Sequence, residues 1–187
     1  SDLYNRTERE LFRIACRKYQ ENIGSRLYIL EGIGNIGVNE VRAAVEKHIR
    51  NTGNKPVVFI DYLQLLAPVN ERYTDKQNMD KAVMELKRIS RDFDIPVLAV
   101  SSLNRASYQN NIDLEAFKES GAIEYSSDVL LGLQYQGAGK KTFDKEAAEK
   151  QKQRKMELKI LKQRNAPKGQ KLGFDFYSFA NYFHETG

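Results

Sequence analysis

Residues 55–68, KPVVFIDYLQLLAP, run four apolar side chains, Val57, Val58, Phe59 and Ile60, straight into the carboxylate of Asp61. A run of this kind bounded by Pro56 reads as a β-strand with both faces covered. Charged groups are rarely fully buried, so an acid at the end of such a strand needs a partner, a cap or a cation. The rest of the chain bears on which of these it has.

Outward from that strand, helices and strands alternate. Upstream, Thr7 and Glu10 stand at capping-box spacing, and Leu11, Ile14, Ala15 and Tyr19 follow at helical intervals up to Gly24. RLYIL at 26–30 reads as a short strand. A second helix is expected from about Gly37, with Glu40 three residues on, Val41, Val45, His48 and Ile49 on one face, and Gly53 at its end. Downstream, Met79, Val83, Leu86, Ile89 and Phe93 mark the apolar stripe of a helix over about 75–93. IPVLAVSS is a second buried strand ending in Ser101 and Ser102, and DVLLGL at 128–133 is a third apolar run. Residues 137–155 are polar and charge-dense, an exposed loop or solvated helix. MELKILK (156–162) alternates as a half-buried strand, and KLGFDF (171–176) is placed to pair with it.

Strands that alternate with helices and carry near-continuous apolar runs predict an α/β fold with a mostly parallel sheet flanked by helices. In such sheets ligands sit beyond the carboxyl ends of the strands. Asp61, Ser101 and Ser102 fall at such ends, which makes them the first candidates for binding a cofactor. Tyr62 and Gln64, just past the first strand, read as structural.

Composition narrows the chemistry. The 187 residues suffice for one domain with a substantial core. No apolar run approaches the roughly 18–20 residues of a membrane span, and the first residues do not read as a signal peptide. One cysteine, Cys16, cannot form an internal disulfide, which fits a cytoplasmic setting. Two histidines, His48 and His184, argue against a histidine metal centre or a Ser-His-Asp triad. The net charge of +5 favours an anionic partner when a site supports one.

An apolar strand ending in Asp is the Walker B pattern, in which the carboxylate holds Mg²⁺ on a nucleoside triphosphate. By itself the pattern is common among parallel-sheet proteins. Four longer blocks, however, occur in one order: FIDYLQLL (59–66), PVLAVSSLNR (96–105), LEAFKESGAIEYSSDVLLGL (114–133) and LKILKQRNAPKG (158–169). Together they resemble the later motifs of the DnaB-type replicative DNA helicases, whose motor is a RecA-like ATPase; the resemblance covers roughly residues 26–176.

That resemblance implies an ATP-driven hexameric ring that translocates on single-stranded DNA and unwinds duplex, using ATP and Mg²⁺. Asp61 would be the Walker B acid and metal ligand. Lys162 and Arg164, in KQRN, match the basic pair that one subunit inserts into its neighbour's ATP site, although KQR in isolation reads more readily as a solvated basic turn. Lys118, Glu119 and Gly121, in KESG, align with the loop that grips single-stranded DNA; the same residues also fit a helix end with a glycine stop. Arg105 fits either the nucleotide or the DNA channel. Partners implied are further copies of the chain, single-stranded DNA, and a primase or helicase loader.

The chain departs from the family pattern in four places. No G-x-x-x-x-G-K-[ST] phosphate loop occurs, so the chain is expected to be the C-terminal part of one helicase motor domain, incomplete at its N-terminal side and inactive alone. Ser102 replaces the usual glutamine, Lys118 the usual arginine, and Ala166 the usual glycine, where a positive φ would shift Arg164. A non-catalytic oligomerisation or DNA-binding module, and a RecA-like recombinase, are the competing readings.

Overall fold

The computed structural model describes residues 6–32, 36–102, 110–114, 121–167 and 169–186. It divides into two units, residues 1–33 and 34–187.

In the first unit, helix α1 (Arg6–Tyr19) runs into a π-helical turn over Gln20–Gly24. Thr7 lies inside the helix, so the capping box expected from Thr7 and Glu10 does not form. The strand expected at 26–30 is likewise absent. A strand needs a hydrogen-bonding neighbour, and among the described residues nothing pairs with this one.

The second unit carries the site. Helix α2 (Val38–Thr52) starts where Gly37 donates its N–H to Glu40 Oε2 at 2.9 Å, and it ends at Gly53 with φ of 70°, as glycine permits. Strand β1 (Val58–Ile60) leads through a 3₁₀ turn (Leu63–Leu65) to helix α3 (Asp75–Phe93). Thr74 opens α3 with a reciprocal cap: Gln77 N–H donates to Thr74 Oγ1 at 3.2 Å, and Thr74 N–H to Gln77 Oε1 at 2.9 Å. Strand β2 (Val97–Ala99) follows and pairs with β1 in parallel.

Val38, Val41 and Val45 of α2, Ile60 and Leu63, and Ala82, Leu86 and Ile89 of α3 form one apolar core with Ile95. This core covers only one side of the β1–β2 pair. Phe59 is 71% exposed, and Val57, Leu98 and Val100 are about half exposed. The covered-on-both-faces expectation for these strands is corrected accordingly, and so is the puzzle it raised: Asp61 ends a half-covered strand and stands in solvent.

After the short helix α4 (Gly121–Ser126) comes an antiparallel sheet in the order β3 (Val129–Tyr135), β4 (Gln153–Gln163), β5 (Lys171–Tyr177), β6 (Tyr182–Glu185). The fold class is α/β as expected, with more antiparallel pairing than the apolar runs suggested. DVLLGL alternates: Leu130, Gly132 and Gln134 are buried while Val129, Leu131 and Leu133 face out. The polar 137–155 region holds helix α5 (Lys145–Lys150) and the start of β4. Among the described residues no helix is long and apolar enough to cross a membrane.

Candidate functional site

Parallel register sets Val58 opposite Val97, Phe59 opposite Leu98 and Ile60 opposite Ala99, so the two strands end level with each other. Val100 N–H donates to Ile60 O, and Leu63 N–H donates to Val100 O, both at 2.9 Å. Asp61 therefore emerges beside Ser101 and Ser102 at one sheet end. It is exposed, and among the described residues it makes no hydrogen bond or ion pair. The Asp61–Tyr62 peptide bond is cis.

Gln64, three residues beyond Asp61 and read from the sequence as structural, makes specific contacts. Its Nε2 donates to Ser101 Oγ at 3.1 Å and to Ser102 O at 3.3 Å, while Ser102 N–H reaches Gln64 Oε1 at 3.4 Å. One amide thus pins both serines against the segment that carries the acid. Among the described residues no cluster of three or more His, Cys, Asp and Glu is placed to cage an ion. A lone accessible carboxylate suits Mg²⁺, which commonly takes one or two protein carboxylates and completes its shell with phosphates and water. The donor present fits the metal the Walker B pattern implies.

Lys162 and Arg164 lie in and just beyond β4, on the other sheet. No hydrogen bond or ion pair joins Asp61 to either within the chain, among the described residues. The two cations behave differently. Lys162 Nζ donates to two backbone carbonyls, those of Glu124 and Ser127, the latter at 2.9 Å. It is partly buried and turned onto its own chain. Arg164 has a side chain 50% exposed, with Nη2 donating to Tyr125 O at 3.1 Å and Nε 3.3 Å from Asp128 Oδ1. Arg164 has the outward route; Lys162 in this conformation acts as a strut. Ala166 has no positive φ, so its replacement of glycine leaves this turn unstrained.

Asp128 collects both charges. Lys87 Nζ lies 2.5 Å from Oδ2, and this hydrogen bond, aided by the charges of Lys87, Arg164 and Lys162, holds the carboxyl below the usual value. A depressed folded-state pKa gives stability that is complete above the unfolded carboxylate value and is lost as pH falls through the folded value. Asp128→Asn is expected to cost less than about 1 kcal/mol at neutral pH, because the pair is exposed. In urea unfolding followed against pH, that difference should vanish on acidification below the normal aspartate range. A difference that persists there would assign the cost to something other than the ion pairs.

Lys118, Glu119 and Arg105 lie outside the described residues. Gly121 is the first residue of α4. Among the described residues, the nearest neighbour a β-carbon there would meet is Tyr125, at 3.8 Å.

A polar cluster on the β3–β4 pair escaped the sequence reading. Lys159 is 5% exposed, and its ammonium donates to Asn111 Oδ1 and lies 3.3 Å from Glu157 Oε1. Gln134 receives the Ile112 N–H at 2.6 Å and donates to Glu157 at 2.5 Å. MELKILK reads as a half-buried strand; residues 110–114 lie over the face that carries Lys159 and Leu161. Strand register sets Gln134 opposite Glu157 and Gly132 opposite Lys159, and the non-strand residue Asn111 closes the cluster.

The DnaB-like helicase C-terminal domain model matches residues 6–184. A probable replicative DNA helicase of Trieres chinensis is 31% identical over 171 residues, spanning 87% of this chain and 35% of that protein. The replicative DNA helicase DnaC of Bacillus subtilis (strain 168) is 32% identical over 149 residues, spanning 78% of this chain and 31% of that protein. The chain thus spans about a third of the length of these relatives. Among solved structures, a DnaB-like replicative helicase described with its primase interactions superposes with a TM-score of 0.79 at 24% identity, covering 97% of this chain and 42% of that one. A second solved structure, described as an ATPase domain, gives 0.68 at 25% identity, covering 81% of this chain and 52% of that one. With a family match running almost end to end, and with the fold agreeing, the chain belongs to the DnaB-like helicase C-terminal domain family.

Proposed function

We propose that this chain is the C-terminal part of one RecA-like motor domain in a ring-forming, ATP-driven helicase that moves on single-stranded DNA and separates the duplex. The observation that carries the reading is Asp61: an exposed carboxylate without a described partner, at the shared end of two parallel strands, in a chain of this family. Asp61 would hold Mg²⁺, whose charge neutralises the triphosphate in phosphoryl transfer. Ser101 supplies a hydroxyl at the same edge, and Gln64 fixes it there. Arg164, free to leave Asp128 and Tyr125, would place its guanidinium on the nucleotide of the adjacent subunit.

The substrate strand would be held near Lys118, Glu119 and Gly121, with Arg105 contributing to nucleotide or DNA contact. A lysine there neutralises one phosphate without the planar fork of arginine. Copies of the same chain would complete each ATP site, and a primase or loader would meet the ring in the cytoplasm. Because the Ser102 side chain is too short to span the distance a glutamine would, communication between nucleotide and DNA would need another route than a glutamine sensor.

The test is single-strand binding by the assembled protein against salt. Lys118→Ala should weaken binding and reduce the slope of log affinity on log salt by roughly one unit. An unchanged slope removes Lys118 from the DNA path. Assembly and DNA binding by a ring that carries a phosphate loop, without any ATP turnover, would favour the non-catalytic module instead.

A further inference from the structure

Strand β4 touches the chain on both sides of residues 115–120, the segment holding Lys118 and Glu119. On the entering side, Asn111 and Ile112 lie against the buried face of β3 and β4. Lys159 donates to Asn111 Oδ1, Gln134 Nε2 donates to the same oxygen at 3.3 Å, and Gln134 Oε1 accepts the Ile112 N–H. Ile112 is 3% exposed and clusters with Leu130, Leu114, Ile123 and Leu161.

Two glycines make this approach possible. A β-carbon at Gly132 would stand 2.9 Å from Ile112 Cδ1, and one at Gly139, where φ is +84°, would stand 2.6 Å from Asn111 N. On the leaving side, Lys162 and Arg164 hold the carbonyls of Glu124, Tyr125 and Ser127, at the end of α4.

A lysine buried this deeply is expensive unless fully paired, and an apolar residue would serve a plain strand better. Here the ammonium has Asn111 and Glu157, and Glu157 is further met by Gln134 and, at 3.9 Å, by Lys171. A satisfied buried network fixes one arrangement of the groups it joins.

We infer that Lys159 and Asn111 are positioning residues that lock residues 110–114 to β4, three positions before Lys162, so that one strand holds both the proposed nucleotide-contacting arginine and the stretch of chain that leads into the proposed DNA-binding residues. The inference rests on the proposed DNA role of that segment. It offers a mechanical route between the two sites that does not need the glutamine replaced by Ser102.

Asn111 gives the discriminating variants. Its Oδ1 accepts both described bonds, so Asn111→Asp keeps the acceptor, whereas Asn111→Leu keeps the approximate volume and loses it. Hydrogen exchange on the full chain should show amides 111–114 exchanging at least about tenfold faster in Asn111→Leu and Lys159→Met, with α2 and α3 unchanged. Asn111→Asp should stay close to the parent. In the assembled protein, the concentration of an oligo-dT strand giving half-saturation should rise several-fold in Asn111→Leu and be restored in Asn111→Asp. Parent-like exchange in Asn111→Leu overturns the inference. So does faster exchange with unaltered DNA half-saturation, provided Lys118→Ala weakens DNA binding. If Lys118→Ala has no effect, the DNA reading of residues 115–120 fails, and the exchange result alone decides whether β4 clamps residues 111–114.

Discussion

Rings that carry a phosphate loop and Arg164→Ala in every subunit are expected to lose about 10³-fold or more of their ATP turnover, within the range attributed to arginine fingers. That factor corresponds to at least about 4 kcal/mol of barrier. The proposed finger role requires Arg164 to leave its own chain at small cost. Among the described residues, the Arg164 side chain would leave only an exposed ion pair with Asp128 and one carbonyl bond to Tyr125. Exposed pairs of this kind contribute less than about 1 kcal/mol, so release costs far less than charge stabilisation at the phosphoryl group returns. The informative experiment mixes subunits. Asp61→Asn rings and Arg164→Ala rings should each be inactive, and mixing their subunits should restore turnover at interfaces where an intact Asp61 meets an intact Arg164. Parent-like turnover in pure Arg164→Ala rings would exclude the finger. Failure of the mixture to recover would place Arg164 in the same subunit's site.

Asp61→Asn is expected to separate chemistry from folding. Removing one carboxylate charge from the metal should cost several kcal/mol of transition-state stabilisation, roughly 10²–10³ in turnover. Asparagine has the same shape, and Asp61 is exposed and makes no hydrogen bond or ion pair among the described residues, so the unfolding free energy should move by no more than about 0.5 kcal/mol. Raising Mg²⁺ should recover part of the lost rate if weakened metal binding is the cause. A variant that keeps its turnover, or that loses stability in parallel with activity, would show Asp61 to be a structural end-cap. The 187-residue chain alone should show no turnover at all, since the sequence contains no phosphate loop; hydrolysis abolished by Asp61→Asn would reverse that expectation.

Some of this was legible in one dimension because its cause is local. The span of α3 follows from its helical apolar stripe, and α2 stops at Gly53 because a left-handed residue is needed there. The strand-end positions of Asp61, Ser101 and Ser102 follow from chain order alone, and so does the pairing of β4 with β5.

What the sequence determined by itself is the resemblance to the family, the order of elements apart from the strand expected at 26–30, and the residues that carry charge to strand ends. Only the tertiary structure decided which faces are covered and which charges are engaged. FIDYLQLL cannot reveal that Phe59 faces solvent, because burial depends on what stacks above the sheet. Nor can KQR reveal that Lys162 is committed to two carbonyls while Arg164 keeps an outward route. The buried Lys159–Asn111–Gln134–Glu157 cluster is the clearest case. Its members lie as many as 48 residues apart, and pairing across strands, not proximity along the chain, makes burial of the charge tolerable.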